Sequence, residues 1–196
     1  MEKPYAESCE QNREPILSVI EPLLKDKQTV LEIGSGTGQH AVYFSEKMPH
    51  LLWQPSDQSQ YLTGIQMWRN EANLKNLAEP LELDVTRSNW PNEKFDVIFS
   101  ANTLHIMHWN DVQAFFNGIE DRLHENGLLL IYGPFNYNFQ YTSESNARFD
   151  NWLKERDPGS GIRHFEEVNE LASQNGLTLI DDKTWVRAGS SNRSGR

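Results

Sequence analysis

"VLEIGSGTGQH", residues 30–40, is the segment from which the architecture of this chain can be predicted. It runs from an apolar stretch typical of a buried strand, through a loop containing Gly34, Gly36 and Gly38, into a sequence typical of a helix. Glycine permits a tight turn and lets main-chain N–H groups approach a ligand closely. The segment therefore predicts a strand–loop–helix unit whose loop binds a ligand.

Apolar segments and amphipathic segments alternate along the rest of the chain. The apolar ones have the length of buried strands, and the segments between them repeat their apolar residues at helical spacing. Strands are predicted at 29–33, 51–56, 81–85, 94–101, 128–133 and 177–185. This alternation predicts an α/β fold, doubly wound and Rossmann-like, in which helices cover both faces of a mostly parallel sheet.

The chain has 196 residues, enough for one domain with a sizeable core. We expect a single domain over residues 1–186, of which residues 1–27 form an N-terminal helical cap. Residues 133–163 interrupt the alternation and are rich in aromatic side chains, which predicts an insertion or lid at the carboxyl ends of the strands. Residues 187–196 are small, polar and basic, which predicts a disordered tail.

The composition is that of a soluble, acidic protein. The formal net charge is -10 at pH 7, and a field of this sign repels phosphate backbones, so we expect no nucleic-acid partner. Cys9 is the only cysteine, which excludes an internal disulfide and favours a reducing compartment. The sequence shows no signal-peptide pattern and no apolar run of about 18 residues, so we expect a cytoplasmic protein without membrane contact.

Carboxylates end three successive predicted strands around the glycine loop. The carboxyl ends of neighbouring parallel strands meet in one crevice, so these side chains should lie close together. Glu32 ends an apolar strand and needs a partner, either an amino group of a ligand or Arg13 or a nearby amide. An acidic residue about 20 positions after the glycines can bind a ribose diol, which predicts that role for Asp57. Asp84 is placed to accept from an adenine amino group.

Gln39 separates this loop from the dinucleotide-binding fingerprint. The pattern G-x-G-x-x-G requires a third glycine at the position that Gln39 occupies. Without that glycine the helix lacks the usual seat for a pyrophosphate group. A nicotinamide-dependent oxidoreductase is therefore a disfavoured alternative.

The same residues resemble the motifs of class I S-adenosylmethionine-dependent methyltransferases. "EIGSGTG" is similar to their first motif, and Asp57, Asp84-Val85 and "FSANTLHIM" at 99–107 are similar to the later ones. More narrowly, the chain resembles a small methyltransferase-like family of unassigned substrate, a domain of unknown function. That closer resemblance is carried by "NREPI", "GSGTGQHAVYF", "WQPSDQ", "LDVT", "SANTLHIM", "YGPF", "YTSESNARFD" and "GIR".

The resemblance implies that the chain binds S-adenosyl-L-methionine and transfers its methyl group to a small-molecule acceptor. It places Glu32 near the amino acid tail of the cofactor, Val85 against the adenine ring, and Ala101 or Asn102 beside the methionine portion. The glycine loop would pack under the ribose and the tail. The implied cofactor-binding residues are Glu32, Gly34, Ser35, Gly36, Gly38, Asp57, Gln58, Asp84, Val85, Ala101 and Asn102.

His105 is the candidate catalytic residue, because it follows the fourth predicted strand, where the transferred methyl group is expected to point. A hydroxyl or carbon acceptor needs a base, whereas a neutral amine or a thiolate needs little further help. His105 is predicted to act as that base or to orient the substrate. The alternative is a loop histidine that caps backbone or packs on Trp109.

An acceptor pocket is predicted from the insertion and the N-terminal segment. Aromatic rings with an acid suit a neutral or cationic small molecule, and no metal site is expected. Arg163 either pairs with an acidic group of the acceptor or binds Asp150 or Asp157. The candidate substrate-binding residues are Tyr5, Asn12, Tyr132, Phe135, Tyr141, Asn146 and Asp150.

The C-terminus departs from the resembled class, whose seven strands have the order 3-2-1-4-5-7-6. The sequence supplies six candidate strands, and its last residues are too polar for a further buried one, so the seventh strand is predicted to be missing or replaced. An unpaired strand edge would then favour self-association. Since no residue here is indispensable for methyl transfer, the alternative function is a non-catalytic S-adenosylmethionine-binding protein that acts through a partner.

Overall fold

The computed structural model describes residues 2–183. Its main sheet has five parallel strands in the order β3-β2-β1-β4-β5, which confirms the predicted Rossmann-like, doubly wound α/β fold. The strands are β1 (Thr29–Ile33), β2 (Leu52–Asp57), β3 (Leu81–Glu82), β4 (Phe95–Ala101) and β5 (Leu123–Tyr132). Because β1 lies at the centre and chain order reverses beside it, the carboxyl ends of β1, β2 and β4 border one crevice.

Helices cover both faces of this sheet. They are α1 (Glu7–Leu23), α2 (Gln39–Lys47), α3 (Ser59–Ala72), α4 (Trp109–Ile119), α5 (Glu144–Arg156) and α6 (Phe165–Gln174). None of the helices within residues 2–183 is both long and apolar enough to cross a membrane.

Successive residues of β1 contribute to opposite cores, as the period of two along a strand requires. Val30 packs in the cluster formed with α1 and α2, whereas Leu31 packs in the cluster formed with α4 and α6. Both side chains are fully buried. A strand that is apolar on both faces can lie only in the middle of a covered parallel sheet, which explains the position of β1.

A small second sheet ties together the two ends of the insertion. It pairs β6 (Phe135–Asn136) with β7 (Arg163–His164) in parallel. Between them runs α5, which Ser143 caps by accepting a hydrogen bond from the Asn146 amide. The aromatic-rich segment is therefore anchored at both ends beside the carboxyl end of β5.

The structure corrects two predicted strands. The third strand ends at Glu82, so Asp84 lies beyond the strand instead of at its end. Residues 177–183 form no strand, although their apolar composition predicts one, because an apolar run also needs a neighbouring ladder to pair with. Within residues 2–183, β5 is hydrogen-bonded only to β4, so self-association through this edge stays a prediction. Residues 184–185 and the predicted tail at 187–196 lie outside the described residues.

Candidate functional site

The glycine loop after β1 uses two of its glycines in different ways. Gly34 has a φ of 78°, and a Cβ there would lie 2.6 Å from the Thr103 side chain, so this position requires glycine for close packing. Gly36 has a φ of 56°, and a Cβ there would meet no atom within 4 Å. The loop is therefore packed against the protein on one side and faces open space at Gly36.

Four amides of this loop, those of Gly34, Ser35, Gly36 and Gly38, are already hydrogen-bonded within the protein. The N–H groups of Gly34 and Ser35 both donate to the Ser56 carbonyl at 3.0 Å. The Gly36 amide donates to the Asp57 carboxylate at 2.7 Å, and the Gly38 amide donates to the Ser35 carbonyl at 2.9 Å. A phosphate-binding loop needs amides that point at its ligand, and these four point at protein acceptors.

Asp57 at the end of β2 holds the loop from the other side. Its carboxylate accepts from the Gly36 amide and from the Gln58 amide, each at 2.7 Å. Burial raises the pKa of this carboxyl, while the two amide hydrogen bonds lower it. A carboxylate offers about four acceptor positions, so the pair of oxygens keeps capacity for two further donors.

Glu32 is the most deeply buried carboxylate beside the loop, with 1% of its surface exposed. It accepts a hydrogen bond from the Trp53 indole N–H at 3.0 Å. Burial raises its pKa to about 7, although hydrogen bonds from Trp53 and Ser35 work in the other direction. Arg13 forms its ion pair with Glu10 at 2.7 Å and not with Glu32.

Gln39 has a role that the sequence patterns do not reveal. Its side-chain oxygen accepts from the Ala6 amide at 2.6 Å and from the Thr37 hydroxyl at 3.0 Å, and its amide donates to Glu10 at 3.0 Å. The residue that replaces a dinucleotide glycine therefore joins α2 to the start of α1. The only available signal was negative, namely the absence of glycine.

Tyr5 and Asn12, which are predicted to bind the methyl acceptor, lie before and within α1. Asn12 is buried, and its side-chain oxygen lies 2.7 Å from Nε2 of His40. Burial lowers the pKa of His40 to about 4, and its ring stacks on Phe44. Tyr5 is largely exposed. Asn12 thus has a structural partner, and Tyr5 lies at the surface.

Asp84 forms a local turn after β3. Its Oδ1 accepts from both the amide and the hydroxyl of Thr86, at 3.0 and 2.6 Å, and Arg87 lies 3.3 Å from Oδ2. The Thr86 hydroxyl is the main reason that the pKa of Asp84 is lowered. The neighbouring Val85 is buried in the core that includes α4.

The end of β4 turns sharply at Asn102, which has a φ of 57°. Its amide donates to the Tyr132 carbonyl at 2.7 Å, so the ends of β4 and β5 are joined at this point. Ala101 is buried just before the turn. Asparagine tolerates the left-handed region better than most side chains do, which suits it to this corner.

His105 lies in the loop after this turn and is 8% exposed. Its ring meets the Phe149 ring edge to face, with centroids 5.2 Å apart. Burial lowers its pKa to about 4, and the positive charge of Arg163 acts in the same direction. Within residues 2–183 its ring nitrogens form no hydrogen bond.

Arg163 braces the loop that carries His105. Its guanidinium group donates to backbone carbonyls of the His105 loop and of the segment before β7, and burial lowers its pKa. The acceptors are the carbonyls of Leu104, Met107 and Gly159. Arg163 therefore binds neither of the two aspartates considered for it.

His108 has a structural role as well. Its Nε2 lies 2.8 Å from the Asp157 carboxylate, and its amide donates to Asp111 in the first turn of α4 at 3.2 Å. His108 and Asp111 therefore form a capping box at the start of α4.

Asp150 is the centre of the insertion. It is 1% exposed and accepts from the Tyr141 hydroxyl, the Lys154 ammonium group and the Ile162 amide, all within 2.7 Å. These bonds lower its pKa although burial opposes them. Asn146 similarly bonds Thr142 at 2.7 Å. Tyr141, Asn146 and Asp150, which are predicted for the acceptor pocket, thus form hydrogen bonds within the insertion.

Several aromatic rings of the insertion contact other aromatic rings. Phe135 meets Phe165 edge to face. Phe149 and Trp152, which are not among the residues predicted for the site, stack with centroids 5.8 Å apart. Their spacing of three residues, which places side chains together on one face of a helix such as α5, was the signal that could have placed them together.

A family model described as "Protein of unknown function (DUF938)" matches residues 3–194. Among curated proteins, (S)-tetrahydroprotoberberine N-methyltransferase of Eschscholzia californica is 29% identical over 142 residues. That alignment covers 66% of this chain and 36% of the relative, so the chain spans little more than a third of the relative's length.

Solved structures show the same architecture. An O-methyltransferase family protein from Burkholderia thailandensis superposes with a TM-score of 0.80 at 15% identity, covering 91% of this chain and 55% of that one. The S-adenosylmethionine-dependent methyltransferase SibL superposes with a TM-score of 0.76 at 19% identity, covering 90% and 52%. The fold is therefore the class I methyltransferase fold.

Proposed function

The chain belongs to the DUF938 family, and we propose that it is an S-adenosylmethionine-dependent methyltransferase that acts on a small molecule. The observation that carries this proposal is the chemistry of the glycine loop. Four of its amides donate hydrogen bonds to protein acceptors, while Glu32 and Asp57 offer carboxylate oxygens beside it. Such a site suits a ligand that brings positive charge and hydroxyl donors, not a pyrophosphate.

The residues present fit the parts of S-adenosylmethionine. Glu32 would bind or order water around the amino group of the tail, and a cation there would offset the cost of its buried charge. Asp57 would accept the ribose hydroxyls with its remaining acceptor positions. Gly36 faces open space, so a ribose and tail can lie against the backbone there.

The adenine end and the methyl end are assigned by position. Asp84 would accept from the adenine amino group, with Val85 against the ring. Ser35 and Gln58 flank the loop and the ribose-binding carboxylate, and Gly34 and Gly38 let the loop pack closely. Ala101 and Asn102 at the end of β4 would border the methionine portion.

When bound, the cofactor supplies an electrophilic methyl group on a sulfonium sulfur. What this chain contributes to transfer is positioning and exclusion of water, which are the main terms for a displacement with a good leaving group. The loop braced by Arg163 holds His105 beside the end of β4, where it would orient the acceptor. We propose that residues 1–186 act as one domain in this reaction.

The comparisons support methyl transfer and leave the acceptor atom open. The curated relative is an N-methyltransferase, whereas the Burkholderia structure belongs to an O-methyltransferase family. They give no support to the non-catalytic alternative. Because every relative here is longer than this chain, transfer to a small molecule is a proposal to be tested on the chain itself.

Isothermal titration calorimetry with S-adenosylmethionine, S-adenosylhomocysteine and NAD tests the proposal. We expect both sulfur nucleosides to bind at a 1:1 ratio and NAD to give no heat of binding. Binding of NAD alone would overturn the proposed function. Binding of S-adenosylmethionine without turnover over a broad acceptor library would favour the non-catalytic alternative.

A further inference from the structure

We propose that the methyl acceptor is an amine nitrogen carried on a compact aromatic skeleton, which docks against His105, Phe149 and Trp152. We call these three side chains the aromatic wall. The proposal rests on the methyltransferase function proposed above and narrows it to one class of substrate.

The aromatic wall runs from the protein surface to the end of β4. Trp152 is 48% exposed at its outer end, Phe149 is half-buried in the middle, and His105 is buried at its inner end. Neighbouring rings are 5.8 and 5.2 Å apart, which is within the range of aromatic contact. In this proposal a flat, apolar substrate would pass Trp152 and Phe149 before it reaches His105 and the expected methyl group.

The charged groups around the wall are already engaged. Asp150 is bound by Lys154, Tyr141 and an amide, and Arg163 is bound by backbone carbonyls. At the outer end, the Arg156 guanidinium lies 4.6 Å from the Trp152 ring centre. Within residues 2–183, the ring nitrogens of His105 form no hydrogen bond, and the ring contacts Phe149 instead.

His105 is poorly suited to remove a proton from a hydroxyl. Burial and the charge of Arg163 lower the pKa of His105 to about 4. A phenolic hydroxyl has a pKa of about 10, and general-base catalysis is efficient only when the base titrates near the working pH. An uncharged amine has a lone pair ready for attack and requires no base.

The transfer then balances within the two substrates. The amine lone pair forms a bond to the methyl carbon while the carbon–sulfur bond breaks, and the sulfur keeps that electron pair as a neutral thioether. The positive charge passes to nitrogen: a tertiary amine keeps it as a quaternary ammonium ion, and a secondary amine gives a protonated tertiary amine that releases its proton to water. Aromatic faces stabilise an ammonium ion, and the net charge of -10 favours encounter with cationic amines.

A matched set of probes tests the proposal on the full chain. N-Methyl-(1-naphthyl)methylamine, (1-naphthyl)methanol and 1-naphthol carry an amine or a hydroxyl on one ring system. With S-adenosylmethionine present, we expect kcat/KM for the amine to exceed that for either hydroxyl compound at least tenfold, measured by mass spectrometry of the methylated product. The rate should rise with pH as the amine loses its proton.

Two variants connect this activity to the wall. Trp152→Ala should raise KM for the amine about tenfold with a smaller change in kcat. Phe139→Ala is the matched control, since Phe139 is an exposed aromatic of the same insertion that contacts His164 instead of the wall. Equal effects of the two variants would overturn the assignment of the wall.

The outcome separates this inference from the proposed function. Methylation of a hydroxyl compound in preference to the amine, or methylation of no amine, would overturn the inference. Bound S-adenosylmethionine in calorimetry of the same preparation would show that the proposed function stands in that case. Absence of S-adenosylmethionine binding would overturn both.

Discussion

The glycine-loop side and the insertion side of the candidate site are built in opposite ways. On the loop side, backbone amides are satisfied by protein acceptors, and buried Glu32 and Asp57 keep acceptor capacity beside an open space. On the insertion side, Asp150 and Arg163 form hydrogen bonds that hold loop backbone in place, and the other prominent side chains are aromatic rings. One side therefore suits polar recognition and the other suits apolar recognition.

Glu32 and Asp150 are both buried carboxylates, but their pKa values are shifted in opposite directions. Asp150 has its pKa lowered, because its partners, the Lys154 ammonium group, the Tyr141 hydroxyl and an amide, favour the ionised form. A carboxylate that has few partners has its pKa raised by burial, as Glu32 does. The second kind gains most from a cationic ligand, and substitutions of the two kinds should have opposite effects on stability.

Replacement of Asp57 should have the largest effect on the loop side. Asp57→Asn removes the negative charge of the group that accepts from the Gly36 amide and, in the proposed complex, from the ribose hydroxyls. We expect the Kd for S-adenosylmethionine to rise at least 100-fold, measured by calorimetry. Asp26→Asn is the control and should bind normally, because Asp26 is an exposed acid before the amino end of β1, whereas the loop follows the carboxyl end of that strand. An unchanged Kd in Asp57→Asn would show that the ribose does not lie there.

Glu32→Gln should weaken binding and stabilise the unliganded protein at the same time. The raised pKa means that folding favours the protonated acid, so stability falls as pH rises from 4.5 to about 7 and is constant above. Glutamine keeps the neutral form. At pH 8 we expect a gain in unfolding free energy on the order of 3 kcal/mol, measured by urea denaturation. Equal stability of the two proteins at pH 8 would contradict the buried charge.

The pH dependence of cofactor affinity follows from the same carboxyl group. A bound ammonium group favours ionised Glu32, so binding below about pH 7 must first remove a proton. We expect the Kd for S-adenosylmethionine to increase as pH falls from 7 to 5.5. In Glu32→Gln the slope between pH 7 and 5.5 should disappear, and its persistence would assign the titration to another group.

Arg163→Met tests the insertion side, where the expected change is in stability. Loss of three charge-assisted hydrogen bonds to carbonyls should lower the unfolding free energy by about 2–4 kcal/mol, measured by urea denaturation. The Kd for S-adenosylmethionine should stay within about threefold of the wild-type value, because the loop side does not depend on this brace. A large rise in Kd would mean that the two sides are coupled.

The same contrast explains which features could be predicted from the sequence. The alternation of strands and helices and the position of the glycine loop follow from apolar periodicity, and the parallel topology brings Glu32 and Asp57 to one crevice. The predicted strand at 177–185 is wrong over residues 177–183, because composition does not reveal whether a ladder partner is present. The function of Arg163 could not be predicted, since its partners are backbone carbonyls, which no residue type marks.

Gln39→Gly should have the smallest effect and tests why the loop does not bind dinucleotides. The change restores the third glycine of the fingerprint but leaves the amides of Gly34, Ser35 and Gly36 on their protein acceptors. We therefore expect no binding of NAD in calorimetry. The Kd for S-adenosylmethionine should rise only a few-fold, because the start of α1 loses its bond to Gln39.

Gln39→Ala is the matched control for this variant, since it removes the same side chain without adding glycine. Both variants should weaken S-adenosylmethionine binding to a similar extent. Binding of NAD by Gln39→Gly alone would show that one side chain decides the ligand. If NAD binds to neither variant, the ligand is decided by the hydrogen bonds of the loop amides, which a glycine pattern does not reveal.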